Sequence, residues 1–287
     1  MLKPTRIQRR TAIPLLLLAA ALGLYLASLA EPRGAEPPPD LVSLAARAVD
    51  LVEAADRALT ALVLGGGIRP PEPSEVAMVA SKLKALGESL DPAGTLSSRL
   101  IESIDAYYSV LSSVYILSSG FTSVSESLGN IAGALDLLAG CYVEEALNRY
   151  TESRRAAKAA LELLVSASLQ AVSADPQAAI AEEHQAVIDA YRSDLSALAE
   201  AMGKALALLD AVEKNPDLGR ALCRADDGAV YALAARLGTT PGRLASTLYT
   251  LSPSLAEKIA EAAIHVRSSS SSCAGAGAGA AEAGSDD

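Results

Sequence analysis

Between Ile180 and Val212 the residues Ile180, His184, Val187, Tyr191, Leu195, Leu198, Met202, Leu206, Leu209 and Val212 follow one another almost entirely at intervals of three and four. Such spacing repeats once per helical turn, so it lays one narrow apolar stripe along about nine turns, with charge on the other faces. Asn215-Pro216 stops the helix, because proline lacks the N–H and clashes with the preceding turn. A helix of this length cannot bury its stripe alone. Long helices with narrow, coiled-coil-like seams pack side by side as elongated antiparallel bundles.

The remainder of the chain agrees with this. It holds 58 alanines against one Phe, nine Tyr and no Trp. Alanine and leucine favour helix, and the β-branched and aromatic residues that fill strands are thin. Leu41, Leu44, Val49, Val52, Leu59, Leu62 and Val63 recur at helical spacing behind Asp40, which is read as an N-cap. "GGGIRPPEPS" (65–74) breaks that helix, a second runs to about Leu90, and "DPAG" (91–94) turns the chain. No proline occurs from Thr95 to Ala174, and Gly120, Gly129, Gly133 and Gly140 are the available breaks, so one or two long helices are expected there. The fold class is all-α: a long-helix bundle over 40–215 with a small helical subdomain over 216–267. The Ser/Gly/Ala-rich stretch 268–287 lacks the apolar content to fold and is read as a disordered tail.

Ahead of the bundle, Lys3, Arg6, Arg9 and Arg10 precede an uncharged run over 11–30. Cations before an apolar run orient it with the basic segment, 1–10, in the cytoplasm. A cleaved signal peptide carries an apolar stretch of about 7–15 residues and a spanning helix needs about 20. Ile13 to Ala30 supplies 18, with Thr11 and Ala12 beside them. The reading is a transmembrane signal anchor contacting the lipid bilayer. Ser28-Leu29-Ala30 before Glu31 leaves open a cleavage site, which would make the protein secreted. The linker 31–39, with Pro37-Pro38-Pro39, is a stiff spacer. Either way the body is extracytoplasmic. A second uncharged run, Ala106 to Ser125, is rich in serine, and its hydroxyls would be hard to satisfy in lipid; it is read as a buried bundle helix.

Formal charge is −10 over the chain, and the four cations of the first thirty residues leave −14 on the rest. A body that acidic repels phosphate backbones, so nucleic acid is not the expected partner. Three Asn, four Gln, three Cys and three Met are few, a depletion of labile residues that points to a thermophilic source. His184 follows Glu182 and Glu183 but sits on the apolar stripe without the spacing of a di-iron or zinc-peptidase helix, and His265 has no neighbouring ligands. The cysteines at 141, 223 and 273 have no metal-site spacing. In an oxidising exterior Cys141 and Cys223 are candidates for a disulfide, with two buried free thiols as the alternative. No nucleophile elbow or phosphate-binding loop occurs in the body. No catalytic, cofactor-binding or metal-ligating residue is assigned, and the chain is read as a non-enzyme.

"ALAARLGTTPGRLASTLYTLSPSLAEKIAEAA" (232–263) resembles a helix-turn-helix of the bacterial-repressor type. Ala234 stands at the small position, Gly238 at the turn, and Leu233, Leu237 and Leu244 at inward positions; Thr239 and Thr247 depart from the pattern. That resemblance implies a membrane-tethered regulator binding DNA as the alternative function. The primary reading is a membrane-anchored extracytoplasmic bundle that binds or scaffolds another protein through its long helices, with homo-oligomers compatible. Intact mass of the chain taken from native membranes is expected to include residues 11–30. A mature chain starting at Glu31 and washed off by salt would make the segment a signal peptide.

Overall fold

Proline opens five of the nine helices among the described residues, its fixed φ being pre-set for the first helical position and its missing N–H costing nothing there. The computed structural model describes residues 37–90 and 95–275. The helices are α1 (Pro39–Val63), α2 (Pro73–Glu88), α3 (Thr95–Ala139), α4 (Val143–Ser173), α5 (Glu182–Lys214), α6 (Pro216–Cys223), α7 (Asp227–Arg236), α8 (Pro241–Leu248) and α9 (Pro253–Gly275), with a 3-10 turn at Pro176–Ala178. No strand occurs among the described residues. Asp40 is not the N-cap. Pro38 takes that position because Pro39 already has helical φ, and Asp40 falls in the first turn, where a carboxylate still suits the helix dipole.

The proline-free stretch forms two helices, and the break comes at Gly140-Cys141-Tyr142. The Cys141 N–H donates to the Leu138 carbonyl and the Tyr142 N–H to that of Leu137, at 3.1 and 2.9 Å. In this ending the residue after the cap turns left-handed, a place that glycine usually fills. Here it is Cys141, at φ 67°, one residue past the expected glycine. Gly238, at φ 64°, closes α7 in the same manner.

Helices α3 and α4 lie antiparallel along their lengths: a Cβ on Gly120 would meet Leu163, and one on Gly133 would meet Arg149. Helix α5 packs on α4 and α1, and α2 lies against α3 and α1. The seams are alanine-rich. Ala45, Ala48, Ala55 and Ala58 of α1 and Ala146, Ala157, Ala160, Ala167 and Ala171 of α4 are all buried. Bulk comes from leucine and from Tyr107, Tyr150 and Tyr191, among the largest fully buried side chains. Helices α6 to α9 do not form a core of their own, since Leu222, Val230, Leu233, Leu244, Leu255 and Ile259 join the apolar cluster of the bundle. Ser252 Oγ also donates to Asp136 of α3 at 2.6 Å, and Lys204 Nζ of α5 to the Leu237 carbonyl at 2.8 Å.

The expected basic segment 1–10, the expected anchor 11–30 and the expected linker as far as residue 36 lie outside the described residues, as does 276–287 of the expected tail. The trace of α9 runs past Ser268 to Gly275, through five serines, Cys273 and Ala274, and ends at the glycine. Among the described residues no helix is long and apolar enough to cross a membrane, and Ala106–Ser125 lies within α3, one side facing the core.

The structure joins Cys141 to Cys223 by a disulfide, Cα–Cα 5.2 Å, tying the α3–α4 turn to the end of α6 across 82 residues of chain. Closing a loop of that length restricts the unfolded chain by about 4.5 kcal/mol in the chain-entropy account. Thiol titration of denatured, unreduced protein is expected to find one free cysteine, Cys273. Three free thiols, or a melting temperature unaffected by reduction, would contradict the pairing.

Candidate functional site

The uncharged stretch Ala106–Ser125 has two faces. Tyr107, Val110, Leu111, Val114, Leu117 and Val124 point into the core. Tyr108 and Tyr115, seven residues apart and so on one side of α3, are instead 38% and 45% exposed. They lie with Ser112 and Ile116 in a groove of about 520 Å³, walled by Ala77, Ala80, Ser81 and Lys84 of α2 and by Gln170 of α4. Next along α3, Ser118, Phe121, Thr122, Ser125 and Glu126 face the segment Gly66–Pro73 across a second depression of about 570 Å³. Together these reaches cover residues 108–126 of α3, about 27 Å at 1.5 Å per residue. Their α3 floor mixes hydroxyl, aromatic and aliphatic side chains, Leu111 and Ile116 among them, and carries no charge before Glu126.

Tyrosine presents a rigid apolar body with a polar tip and suits contact surfaces for that reason. The hydroxyl of Ser118, in the second reach, is buried and has no hydrogen-bond partner among the described residues. Buried polar groups are nearly always paired, so an unpaired one lining a depression marks a place where an incoming group has something to gain.

Elsewhere the polar residues pin the helices to one another. Tyr107 Oη accepts from the Ile180 N–H at 3.1 Å and shares a 2.6 Å hydrogen bond with His184 Nδ1, so His184 serves the packing of α5 on α3. Burial raises the Tyr107 phenol to about 12, which keeps it protonated. Tyr191 Oη meets Ser113 Oγ at 3.0 Å. Tyr150 donates to Asp210, which also takes Arg154 at 2.8 Å and Lys158 at 3.5 Å; Arg154 reaches Glu213 at 2.9 Å as well. Burial by itself would raise the Asp210 carboxyl, but the Tyr150 hydroxyl and the two cations outweigh it and hold it below the usual range. Between α1 and α5, Asp56 is pushed up by burial first and then by Asp194 and Glu53, and its Oδ1 is buried without a partner among the described residues.

Among the described residues no group of His, Cys, Asp and Glu is arranged to hold a metal ion. The side chains of His265 and Cys273 lie outside the described residues. In the helix-turn-helix segment Ala234, Leu233 and Leu244 are buried as that resemblance implies. The cation on its second helix, Arg243, stays largely exposed and lies 3.4 Å from Glu200 of α5. The groove residues Tyr108 and Tyr115 were not singled out from the sequence; the charge-free run was, but which of its side chains face outward depends on where α2 and α4 lie. Comparison of the chain with protein-family models, with curated proteins and with solved structures finds no match in any of the three.

Asp210→Asn is expected to lower stability at neutral pH by about 1–2 kcal/mol, a charge-assisted network loss discounted for partial exposure. A carboxyl whose folded pKa is depressed contributes stability above the unfolded value near 3.9 and loses it as pH falls through the lower folded value. Denaturant melts of the native chain should therefore weaken below about pH 4, and the variant's should weaken less. Equal acid slopes would remove Asp210 from the account.

Proposed function

We propose that the protein is a single-pass, membrane-anchored extracytoplasmic helical bundle that acts by binding or scaffolding, and that the α3 groove is the surface its partner occupies. The observation that carries this reading is the charge-free face of α3 in a chain otherwise so acidic. Exposed Tyr108 and Tyr115 and the unpaired Ser118 hydroxyl all lie along it. A solvated helix face needs no such composition, whereas a face that partners cover does. The Cys141–Cys223 bond supports an oxidising compartment, and the cations ahead of 11–30 support a body outside the cytoplasm. No residue is assigned a chemical step.

The test uses the full chain in its own cells, with a photoreactive benzophenone residue at 108, at 115 or, as control, at the exposed Tyr249. Adducts are expected from 108 and 115 and not from 249. A membrane-impermeant maleimide should label Cys273 on intact cells. Labelling only after permeabilisation, or adducts from 249 alone, would sink the reading.

A further inference from the structure

Asp56 sets a carboxylate on an alanine seam, between the fully buried Ala55 and Ala58, and its Oδ1 is buried with no donor among the described residues. It lies one turn before Thr60, on the side of α1 that meets α5. Leu59, Thr60 and Val63 share a depression there with Asp194, Ala197 and Leu198 of α5, which sets Asp194 opposite this side. The other titratable group of α5 that faces Asp56 is Tyr191, whose hydroxyl is already bonded to Ser113 of α3. On its own helix Glu53 adds a like charge, and Arg57 gives its guanidinium to Glu53 at 3.5 Å. Helix α3 brings no charge over Ala106–Ser125, and the α2 carboxylate that reaches α1, Glu75, is paired with Arg47. The charges that act on Asp56 are therefore all negative.

We propose that Asp56 is a proton-operated latch: uncharged, it seats the second half of α1 on α5, and charged beside Asp194 it loosens that seat. A protonated carboxyl has an O–H to donate and no net charge, so proton uptake removes both the repulsion and the cost of an unmet charged oxygen. Burial first, then Asp194 and Glu53, raise the Asp56 carboxyl above its ordinary range, so uptake begins at milder acidity than for an exposed aspartate. A carboxyl raised in the fold costs stability while it is charged. That cost is relieved as pH falls through the raised value and is gone below the unfolded value of about 3.9. Asp210 has the opposite sign and gives up its contribution only at lower pH, so α1 tightens before the bundle weakens. Ala55 and Ala58 each bury little area, which leaves the charge of one carboxyl a sizeable part of the local balance. The same half of α1 runs on toward Gly66–Pro73, the wall of the second depression, so the proton at Asp56 also sets how firmly that wall is held. The latch itself stands whether or not a partner fills the groove.

The experiment is amide hydrogen exchange on the full chain in detergent micelles, at about pH 5 and about pH 7.5, read as protection factors corrected for the intrinsic effect of pH. Amides of 52–63 in α1 are expected to be several-fold better protected at the lower pH, while those of 153–164 in α4 change little. Asp56→Asn is expected to hold the low-pH protection at both values, and Asp194→Asn to raise protection at the higher one. Asp50→Asn removes a carboxylate of the same helix that is 65% exposed, and is expected to keep the native response. Asparagine has the shape of aspartate, so helical circular dichroism and the Cys141–Cys223 bond should be unchanged in all three. Equal protection of 52–63 at the two pH values in the native chain overturns the latch. So does a response that survives in Asp56→Asn or disappears in Asp50→Asn.

Discussion

A phenol buried among alanines and leucines must find a partner for its hydroxyl, and three such phenols determine how the long helices of this protein stand against one another. Tyr107 of α3 reaches the start of α5 at Ile180 and His184, Ser113 of α3 reaches Tyr191 one stage further along α5, and Tyr150 of α4 reaches Asp210 near its end. All three bonds converge on α5. Alanine seams allow close approach but have little relief, so sliding one helix past another by a turn would cost little in shape. It would strand three hydroxyls, each at roughly 1–3 kcal/mol. The register of the bundle is therefore polar in origin although its bulk is apolar.

What happens at the two ends follows from that register. With α3 and α4 held level, their turn falls where Cys141 can meet Cys223 of α6. Helices α6 to α9 are then folded back on the bundle, held by Ser252 on Asp136 and Lys204 on the Leu237 carbonyl, and their leucines complete the same core. Along the middle of α3, the same pairing leaves the outward face of the helix as a floor between α2 and α4. Its composition is a compromise: one side of each turn must be apolar for the core, and the other is neutral and hydroxyl-bearing.

Much of the fold was legible because it is local. The stripe from Ile180 to Val212, the prolines at 73, 216, 241 and 253 and the turn glycine at 238 each act within a turn or two of chain, so their effect can be read without knowing the rest. Asp40 misled because a cap is set by the residue that first takes helical φ, and the proline before it does so earlier. Of the four glycines that could have broken 95–174, only Gly140 lies at the α3–α4 turn, and the left-handed position fell on Cys141 beside it.

The sequence by itself determined the all-α class, the long helices and most of their ends, because hydrophobic period and backbone stereochemistry are properties of neighbouring residues. Only the tertiary structure decided which of two adjacent tyrosines, Tyr107 and Tyr108, is buried and which lines a groove, where His184 finds its partner, and that 216–267 shares the core of the bundle. Those outcomes depend on the rotation and level of each helix against its neighbours. That is set by pairings such as Tyr150 with Asp210, sixty residues apart, which no local pattern encodes.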